Sequence, residues 1–269
     1  HGLDIVAPSH VYQWLWLPFI RRCDLALVNS TNTGRLAHSR GVRSDRLHVL
    51  HPGTDLPPLD AKAAHGFRQR HGFGQRPLLL SVGRLTQRKG LAEFVAKTLP
   101  YVVSHSKEVL LLIIGDEASD ALHTRKGSER ERILAAARDA GVEKNLHFLG
   151  RCDEATLGAA YQAADLHIFP VRELPGDVEG FGMVALESAA QGLPTIAFAV
   201  GGVSDAVQDG RTGSLIKSGD YDSLGEAVIR QLARTRDESA SAICRDFAAG
   251  KAWPVFAERL RELLDASNA

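Results

Sequence analysis

"LHIFPVRELPGDVEGFGMVALESAAQGLPTIAFA" (Leu166–Ala199) decides the fold class of this chain. It begins with the apolar run Leu166–Phe169 and ends with the apolar run Thr195–Ala199, and both runs have the length of a strand. Between them lie a loop rich in proline, glycine and acidic residues and an alanine-rich stretch that predicts a helix beginning near Gly182. A strand, a helix and a second strand in this order predict a parallel sheet that is covered by helices.

The same alternation of short apolar runs and helical patterns extends along the rest of the chain. The other strand candidates are Leu25–Asn29, Leu47–Leu50, Leu78–Gly83, Val109–Gly115, Leu146–Gly150 and Gly213–Ile216. Helical patterns open at the cap-like residues Asp153 and Asp220. The stretch His51–Gly66, dense in proline, glycine and aspartate, separates the first two strand candidates from the later six. We therefore expect an α/β fold with a doubly wound, Rossmann-like parallel sheet and a domain boundary in this stretch.

Composition excludes several classes of function. The 32 basic residues balance the 32 acidic ones, so the charge of the chain gives no reason to expect a nucleic-acid partner. Cys23, Cys152 and Cys244 are odd in number and widely separated, which favours reduced thiols and a cytoplasmic location. The apolar run Val11–Ile20 is too short to span a bilayer. It favours a packed helix, and a peripheral membrane contact is the open alternative.

The turn after the strand candidate Leu78–Gly83 carries two cations. Gly83 and Arg84 come first, and Lys89 follows five residues after Arg84, at the predicted start of a helix. Because ligands of doubly wound sheets bind at the carboxyl ends of the strands, this turn suits a diphosphate. A solvated basic loop is an equally good interpretation of the spacing alone.

Two glutamates, Glu179 and Glu187, flank the predicted helix start at Gly182. A helix N-terminus offers unpaired amides and a positive dipole to a phosphate. In this sequence an acidic residue lies on each side of the predicted helix start. The glutamates could equally be charges that complement the helix dipole. "GFGMVA" also matches the dinucleotide fingerprint G-x-G-x-x-A. We reject that interpretation because a long loop separates the strand candidate Leu166–Phe169 from Gly180, and because no acid ends the next strand.

Three motifs together resemble a known family. They are GRLTQRKG (Gly83–Gly90), EGFGMVALE (Glu179–Glu187) and GLPTIAFAVGGVSDAVQDGRTGSLI (Gly192–Ile216). Their order and spacing resemble the nucleotide-binding half of retaining glycosyltransferases with the GT-B fold, of the group 1 or family 4 type. The resemblance extends over nearly all of Leu78–Ala233, and Cys23–Asp55 resembles the end of the family's acceptor domain with its linker.

The resemblance implies a division of the chain into three parts. Residues 1–58 would be the C-terminal part of the acceptor domain with its linker, a truncated remnant of a second Rossmann-like domain. Residues 59–250 would form the donor domain, and 251–269 a helix that packs back toward the acceptor domain. Two strand candidates in 1–58 are too few for a sheet and core, so we expect nucleotide binding without efficient transfer. We also expect Ser9–Arg22 to pack on the donor domain or a neighbouring chain.

The resemblance also implies a role for each matching residue. Gly83, Arg84 and Lys89 would hold the diphosphate of a GDP- or UDP-sugar donor. Glu187 would bind the ribose hydroxyls, and Glu179 would face the transferred sugar. The remaining donor contacts would come from backbone groups at Phe181, Gly182, Met183, Arg151 and Cys152. Glu179, Arg84 and Lys89 form the implied catalytic set.

The implied reaction is transfer of a sugar, with retention, to a glycolipid or polysaccharide. Cationic side chains and helix amides would stabilise the departing nucleoside diphosphate, so neither a metal nor another cofactor is expected. "ELPGDVEGFG" (Glu173–Gly182) resembles the loop of GDP-mannose-using phosphatidylinositol mannosyltransferases, which slightly favours mannose. The alternatives are a related GT-B enzyme, such as a sugar-nucleotide epimerase or a sucrose-synthase-like protein, and a nucleotide-binding module without turnover.

Two positions depart from the family pattern or lack its context. Glu117 stands where the family often has a second glycine after the strand candidate Val109–Gly115, so the loop there should contact the nucleotide differently. His1 matches a histidine near the transferred sugar in family members, but the sequence context that accompanies that histidine is missing here.

Overall fold

A computed structural model of the chain describes residues 10–117, 128–234 and 238–268, and His1 lies outside them. The strands are β1 (Ala26–Val28), β2 (Leu47–Val49), β3 (Leu78–Val82), β4 (Leu110–Ile114), β5 (Leu146–Gly150), β6 (Leu166–Phe169), β7 (Thr195–Phe198) and β8 (Gly213–Ile216). The helices are α1 (His10–Arg22), α2 (Thr31–Ser39), α3 (Ala61–Arg70), α4 (Leu91–Lys97), α5 (Leu99–His105), α6 (Glu129–Asp139), α7 (Glu154–Ala163), α8 (Met183–Ala190), α9 (Val203–Ala206), α10 (Tyr221–Leu232), α11 (Glu238–Ala249) and α12 (Trp253–Asn268). Short 3₁₀ turns occur at Ser44–Arg46, Gln87–Lys89 and Glu143–Asn145.

The main sheet has six parallel strands in the order β5-β4-β3-β6-β7-β8, which confirms the predicted α/β fold class. From β3 the chain winds outward through β4 to β5, returns to the other side of β3 as β6, and winds outward again through β7 to β8. Strands β3 and β6 are therefore neighbours at the point where the winding reverses. In such sheets the ligand crevice lies at this reversal, at the carboxyl ends of the two strands.

The central strands are buried on both faces. In β3, Leu79 packs in one hydrophobic cluster while Leu78 and Leu80 pack in another. The same alternation recurs in β4, where Leu111 and Leu112 belong to different clusters. Because successive side chains of a strand point to opposite faces, the two clusters are the two helix-covered sides of the sheet.

Side chains at the helix N-termini explain where several helices begin. Asp153 caps α7 by accepting a hydrogen bond from Thr156 N at 2.7 Å, and Asp220 caps α10. Helix α6 begins with a capping box at Ser128. Glu117 supports that start, since its Oε1 accepts hydrogen bonds from Ser128 Oγ at 2.5 Å and Arg130 N at 2.8 Å. The position where the family often has glycine is thus used here to fix the start of a helix.

The segment before the main sheet forms a separate two-stranded parallel sheet, in which Ala26 pairs with Leu47. In α1 the side chains of Trp14, Trp16 and Phe19 are 77%, 56% and 65% exposed. Their exposure contradicts the expectation that the donor domain covers them, whereas packing on a neighbouring chain stays a prediction and Ser9 lies outside the described residues. No helix in the described ranges has the length and apolar character needed to cross a membrane.

Candidate active site

Close backbone packing brings the turn after β3 against the loop after β6. Gly90 has φ +71°, and a Cβ at this position would lie 2.0 Å from the carbonyl oxygen of Pro170. Arg172 N, on the same loop, donates a hydrogen bond of 2.8 Å to the carbonyl oxygen of Arg88. Only glycine allows this approach, because any side chain at position 90 would overlap the Pro170 carbonyl. The contact places the 3₁₀ turn Gln87–Lys89 beside the loop that carries Glu179.

Four charged side chains form a compact cluster where these segments meet. Lys89 Nζ lies 2.9 Å from Glu179 Oε2, and Arg88 Nη1 pairs with the same oxygen. The Nε atom of Arg88 lies 2.8 Å from Asp177 Oδ1. Each of the four side chains is only 11–17% exposed. Two positive and two negative charges therefore balance each other at the edge of the sheet, largely out of water.

Burial and neighbouring charge set the protonation states of this cluster. Burial lowers the pKa of Lys89, and the charges of Arg88 and Arg84 lower it further, while Glu179 opposes the shift. Burial alone would raise the pKa of Glu179, but Lys89 and Arg88 outweigh it and hold that pKa below its ordinary value. Glu179 is therefore ionised at neutral pH and can accept hydrogen bonds from hydroxyl groups.

A cavity of about 340 Å³ opens beside the cluster. Its lining includes Lys89, Glu179 and the start of α8, which are joined by Asn29 and Pro52 from the N-terminal segment. Helix α8 begins after Gly182, whose φ is +98° and which supplies no capping side chain. A glycine at this position leaves the positive end of the helix to a ligand in the cavity.

Glu187 lines a second cavity, of about 300 Å³. Its Oε2 accepts a hydrogen bond of 3.3 Å from the hydroxyl of Tyr161, and burial raises the pKa of Glu187 against the effects of Tyr161 and Lys89. Met183 lines both cavities, which therefore adjoin each other. Trp253, at the start of α12, closes part of the second cavity.

A pair of glycines after β7 packs closely against the backbone of the loop that carries Glu179. Gly202 N donates a hydrogen bond of 2.9 Å to the carbonyl oxygen of Glu179. A Cβ on Gly202 would lie 2.1 Å from the carbonyl oxygen of Gly180, and one on Gly201 would lie 2.4 Å from that of Glu179. The motif "AVGGVSD" thus allows α9 and its preceding turn to hold the loop in place.

The structure does not bring every predicted site residue to the lining of the two cavities. Gly83 follows β3 with φ +136°, and its Cβ would lie 3.7 Å from Lys89 Cε. Arg84 is exposed and lies outside the lining of both cavities, although its charge acts on Lys89. Arg151 and Cys152 follow the edge strand β5 and also lie outside both linings. The segment that follows Arg151 and Cys152 does reach the second cavity through Glu154.

Sequence reasoning missed three members of the site, namely Arg88, Asp177 and Tyr161. Arg88 precedes Lys89 directly, and Asp177 lies two residues before Glu179, so adjacency to the two motifs was the available signal. Tyr161 lies on α7, and nothing in the pattern of that helix indicates its contact with Glu187.

A larger cavity, of about 980 Å³, lies at the opposite edge of the sheet. Its lining includes Pro77, Pro194 and Gly213, which stand before or at the start of strands β3, β7 and β8. Size alone would favour it as the ligand site. The carboxyl ends of β3 and β6 are the better candidate, because the winding reverses there and the buried charges lie there.

The sequence profile of the family described as glycosyl transferases group 1 matches residues 66–243, more than half of the chain. The chain belongs to this family. A GDP-mannose-dependent alpha-(1-6)-phosphatidylinositol monomannoside mannosyltransferase of Mycolicibacterium smegmatis is 31% identical over 278 residues, covering 97% of this chain and 69% of that protein. A D-inositol 3-phosphate glycosyltransferase of Nocardia farcinica is 31% identical, covering 92% of this chain and 54% of that protein.

Solved glycosyltransferase structures share the fold of this group 1 member. The Anabaena protein HepE in complex with UDP and glucose superposes with a TM-score of 0.81 at 20% identity, covering 97% of this chain and 69% of that one. Sucrose-phosphate synthase from Thermosynechococcus elongatus gives a TM-score of 0.79 at 25% identity, covering 99% and 66% of the two chains. The predicted family and its GT-B fold are therefore confirmed.

Proposed function

We propose that this group 1 glycosyltransferase binds a nucleoside diphosphate sugar in the two adjoining cavities and transfers the sugar with retention. The observation that carries the proposal is the buried pair of Lys89 and Glu179 beside the N-terminus of α8. A phosphate-binding cation, a sugar-binding carboxylate and a helix dipole meet at the point where an open α/β sheet binds its ligand. A nucleotide sugar presents the matching groups in one molecule.

Each part of the donor has a proposed partner. Lys89, the amides of Phe181, Gly182 and Met183, and the outer cation Arg84 would bind the diphosphate. The carboxylate of Glu187 would accept hydrogen bonds from the ribose hydroxyls in the second cavity. Glu179 would accept hydrogen bonds from the transferred sugar. Gly83, Arg151 and Cys152 would border the nucleotide through their backbones.

The proposed chemistry is electrostatic. The bond between the anomeric carbon and the diphosphate oxygen breaks, an acceptor hydroxyl oxygen forms the new bond to that carbon, and the proton of the hydroxyl passes to the departing diphosphate. During this exchange negative charge develops on the diphosphate and positive charge on the sugar ring. Lys89 and the dipole of α8 would stabilise the first charge, because they are already in place in a site with little water. The carboxylate of Glu179 would orient the sugar and stabilise the second charge without acting as a nucleophile. No step in this scheme requires a metal.

We propose GDP-mannose as the first donor to test and a glycolipid as the acceptor. The relative from M. smegmatis is described as GDP-mannose-dependent and as acting on a phosphatidylinositol monomannoside. The exposed Trp14, Trp16 and Phe19 of α1 support a peripheral membrane contact at the cytoplasmic face. UDP-glucose is the second donor to test, since HepE was crystallised with UDP and glucose.

The division into donor and acceptor parts also remains a proposal. The residue pair Thr54 and Trp253 supports it, because Trp253 N donates to the carbonyl oxygen of Thr54 at 3.3 Å where α12 begins. Helix α12 thus starts against the segment that we propose as the linker.

Isothermal calorimetry with Glu187→Ala and Glu179→Ala tests these roles. Glu187→Ala removes a charged hydrogen bond to the ribose. It should weaken binding of the nucleoside diphosphate by about 1.5 to 3 kcal/mol, which is roughly 10- to 150-fold in Kd. Glu179→Ala should spare GDP and UDP and weaken only their sugar conjugates. Glu226→Ala, an exposed glutamate on α10, is the matched control and should change neither. Equal weakening of the bare nucleotide by both site variants would refute the division of roles.

A further inference from the structure

We propose that Arg88 is a positioning residue that holds the Glu179 carboxylate when Lys89 turns to the donor diphosphate. The inference rests on the proposed function and adds a residue that none of the three motifs assigned to a role. Arg88 lies outside the expected set of donor contacts, yet it pairs with both carboxylates of the charged cluster, Asp177 and Glu179.

The geometry shows a guanidinium shared between two carboxylates of one loop. Nη1 of Arg88 pairs with Glu179 Oε2, and Nε lies 2.8 Å from Asp177 Oδ1. The carbonyl oxygen of the same residue accepts the hydrogen bond from Arg172 N at 2.8 Å. Arg88 therefore contacts the loop after β6 near its beginning and near its end. The contact of Nε with Asp177 is an ion pair without hydrogen-bond geometry. A planar guanidinium spreads its charge and its donors over several fixed positions, so it suits simultaneous contact with two carboxylates better than the compact ammonium of a lysine does.

The charge balance of the cluster must change when a diphosphate arrives. In the structure, Lys89 Nζ is directed to Glu179 at 2.9 Å. A diphosphate beside Lys89 competes for that ammonium group with more negative charge than a single carboxylate has. Glu179 would then lose a partner while it remains largely buried, and an unpaired buried carboxylate is strongly unfavourable. Arg88 stays on Glu179 through this exchange, because Asp177 anchors its other side.

This arrangement assigns the two adjacent cations to different tasks. Lys89 serves the diphosphate, and Arg88 serves the sugar indirectly, through the position and ionisation of Glu179. Loss of Arg88 should therefore resemble loss of Glu179 in its effect on ligands. It should reduce the extra affinity that the sugar gives to the nucleotide, and it should spare most of the affinity for the nucleotide itself.

The test is the ratio of the Kd for GDP to the Kd for GDP-mannose, measured by calorimetry on the whole chain; UDP and UDP-glucose replace this pair if they bind more tightly. Arg88→Gln should lower the ratio by about tenfold, as Glu179→Ala does. The double variant should lower it no further, because the two residues act as one unit. Arg88→Lys keeps the charge but loses the fork, so it should restore part of the ratio.

Arg172→Gln is the matched control, since its side chain pairs with Glu93 at 2.5 Å and not with Glu179 or Asp177. This variant should keep the ratio. Thermal unfolding identifies any variant that does not fold. If Arg88→Gln does not fold, Arg88→Lys is compared with the wild type in its place.

Three results would overturn the inference. They are an unchanged ratio in Arg88→Gln, equal weakening of GDP and GDP-mannose in that variant, and a wild-type chain that binds both equally. The proposed function fails separately, if the wild-type chain binds no nucleotide at all.

Discussion

His167 should make this protein less stable as the pH falls below about 6.5. The residue lies in β6 and is fully buried, with its Nδ1 3.0 Å from Thr195 Oγ1 and its ring stacked on Phe169. Burial, with a smaller effect of the Lys89 charge, lowers the pKa of His167 to about 3. The native protein therefore holds this imidazole neutral, while the unfolded chain titrates it near its ordinary value.

The magnitude follows from this difference. Between pH 6.5 and pH 3 the unfolded state binds a proton that the native state does not, so the unfolded state is stabilised relative to the native state as the pH falls. The contribution of His167 is fully present above about pH 6.5 and is lost progressively toward pH 3. At pH 5, protonation of the unfolded chain lowers the free energy of unfolding by RT ln(1 + 10^1.5), which is about 2 kcal/mol.

Urea unfolding at pH 7.5 and pH 5.0 of the wild type and of His167→Gln measures this quantity. The wild type should lose about 2 kcal/mol more than the variant between the two pH values. Other titrating groups are the same in both proteins, and any general destabilisation by the substitution cancels because each protein is compared with itself. An equal loss in both proteins would show that His167 is not held neutral, and the buried site described for it would be wrong.

Three further predictions concern the site and its surroundings. Gly202→Ala should abolish nucleotide binding in calorimetry and lower the Tm, because its Cβ would lie 2.1 Å from the Gly180 carbonyl oxygen; unchanged affinity would contradict the packing argument. Glu117→Ala should cost about 1 kcal/mol in urea unfolding, since it removes the carboxylate that binds Ser128 at the start of α6, and no loss would refute that capping role. EDTA should leave donor affinity unchanged, because Lys89 and the helix dipole replace a metal in the proposed site; a tenfold loss in a titration with chelator would contradict this.

The strands could be predicted from the sequence because each is a short apolar run that ends at a turn residue. Leu146–Gly150, Leu166–Phe169 and Gly213–Ile216 have the predicted bounds, whereas β3 and β7 differ by one residue at one end and β4 by one residue at each end. Both faces of the central strands are buried, so their sequences are continuously apolar and easy to recognise. The start of α8 was predictable for a local reason as well, since it follows Gly182 directly.

The charged cluster could be predicted only in part, because it depends on the order of strands in space. An alternation of strands and helices predicts a parallel sheet but does not state that β3 and β6 are neighbours. Arg88 and Glu179 are 91 positions apart in the sequence. Without the pairing of β3 with β6, nothing predicts that the two side chains are in contact. The motifs identified Lys89 and Glu179 through family resemblance, but only its position next to Lys89 distinguished Arg88 from a solvated arginine.

Helix α8 gives a physical reason for the eight-residue spacing between Glu179 and Glu187. Glu179 lies on the loop before the helix, and Glu187 lies four residues after its first residue, Met183, about 6 Å along the axis. The two carboxylates therefore line different cavities that meet at Met183. A donor that lies across the helix N-terminus would place its diphosphate between them, with the sugar on one side and the ribose on the other. The spacing thus matches the order of sugar, diphosphate and ribose in a nucleotide sugar. A helix start with one carboxylate before it and one on its second turn is a simple structure that could bind these three groups.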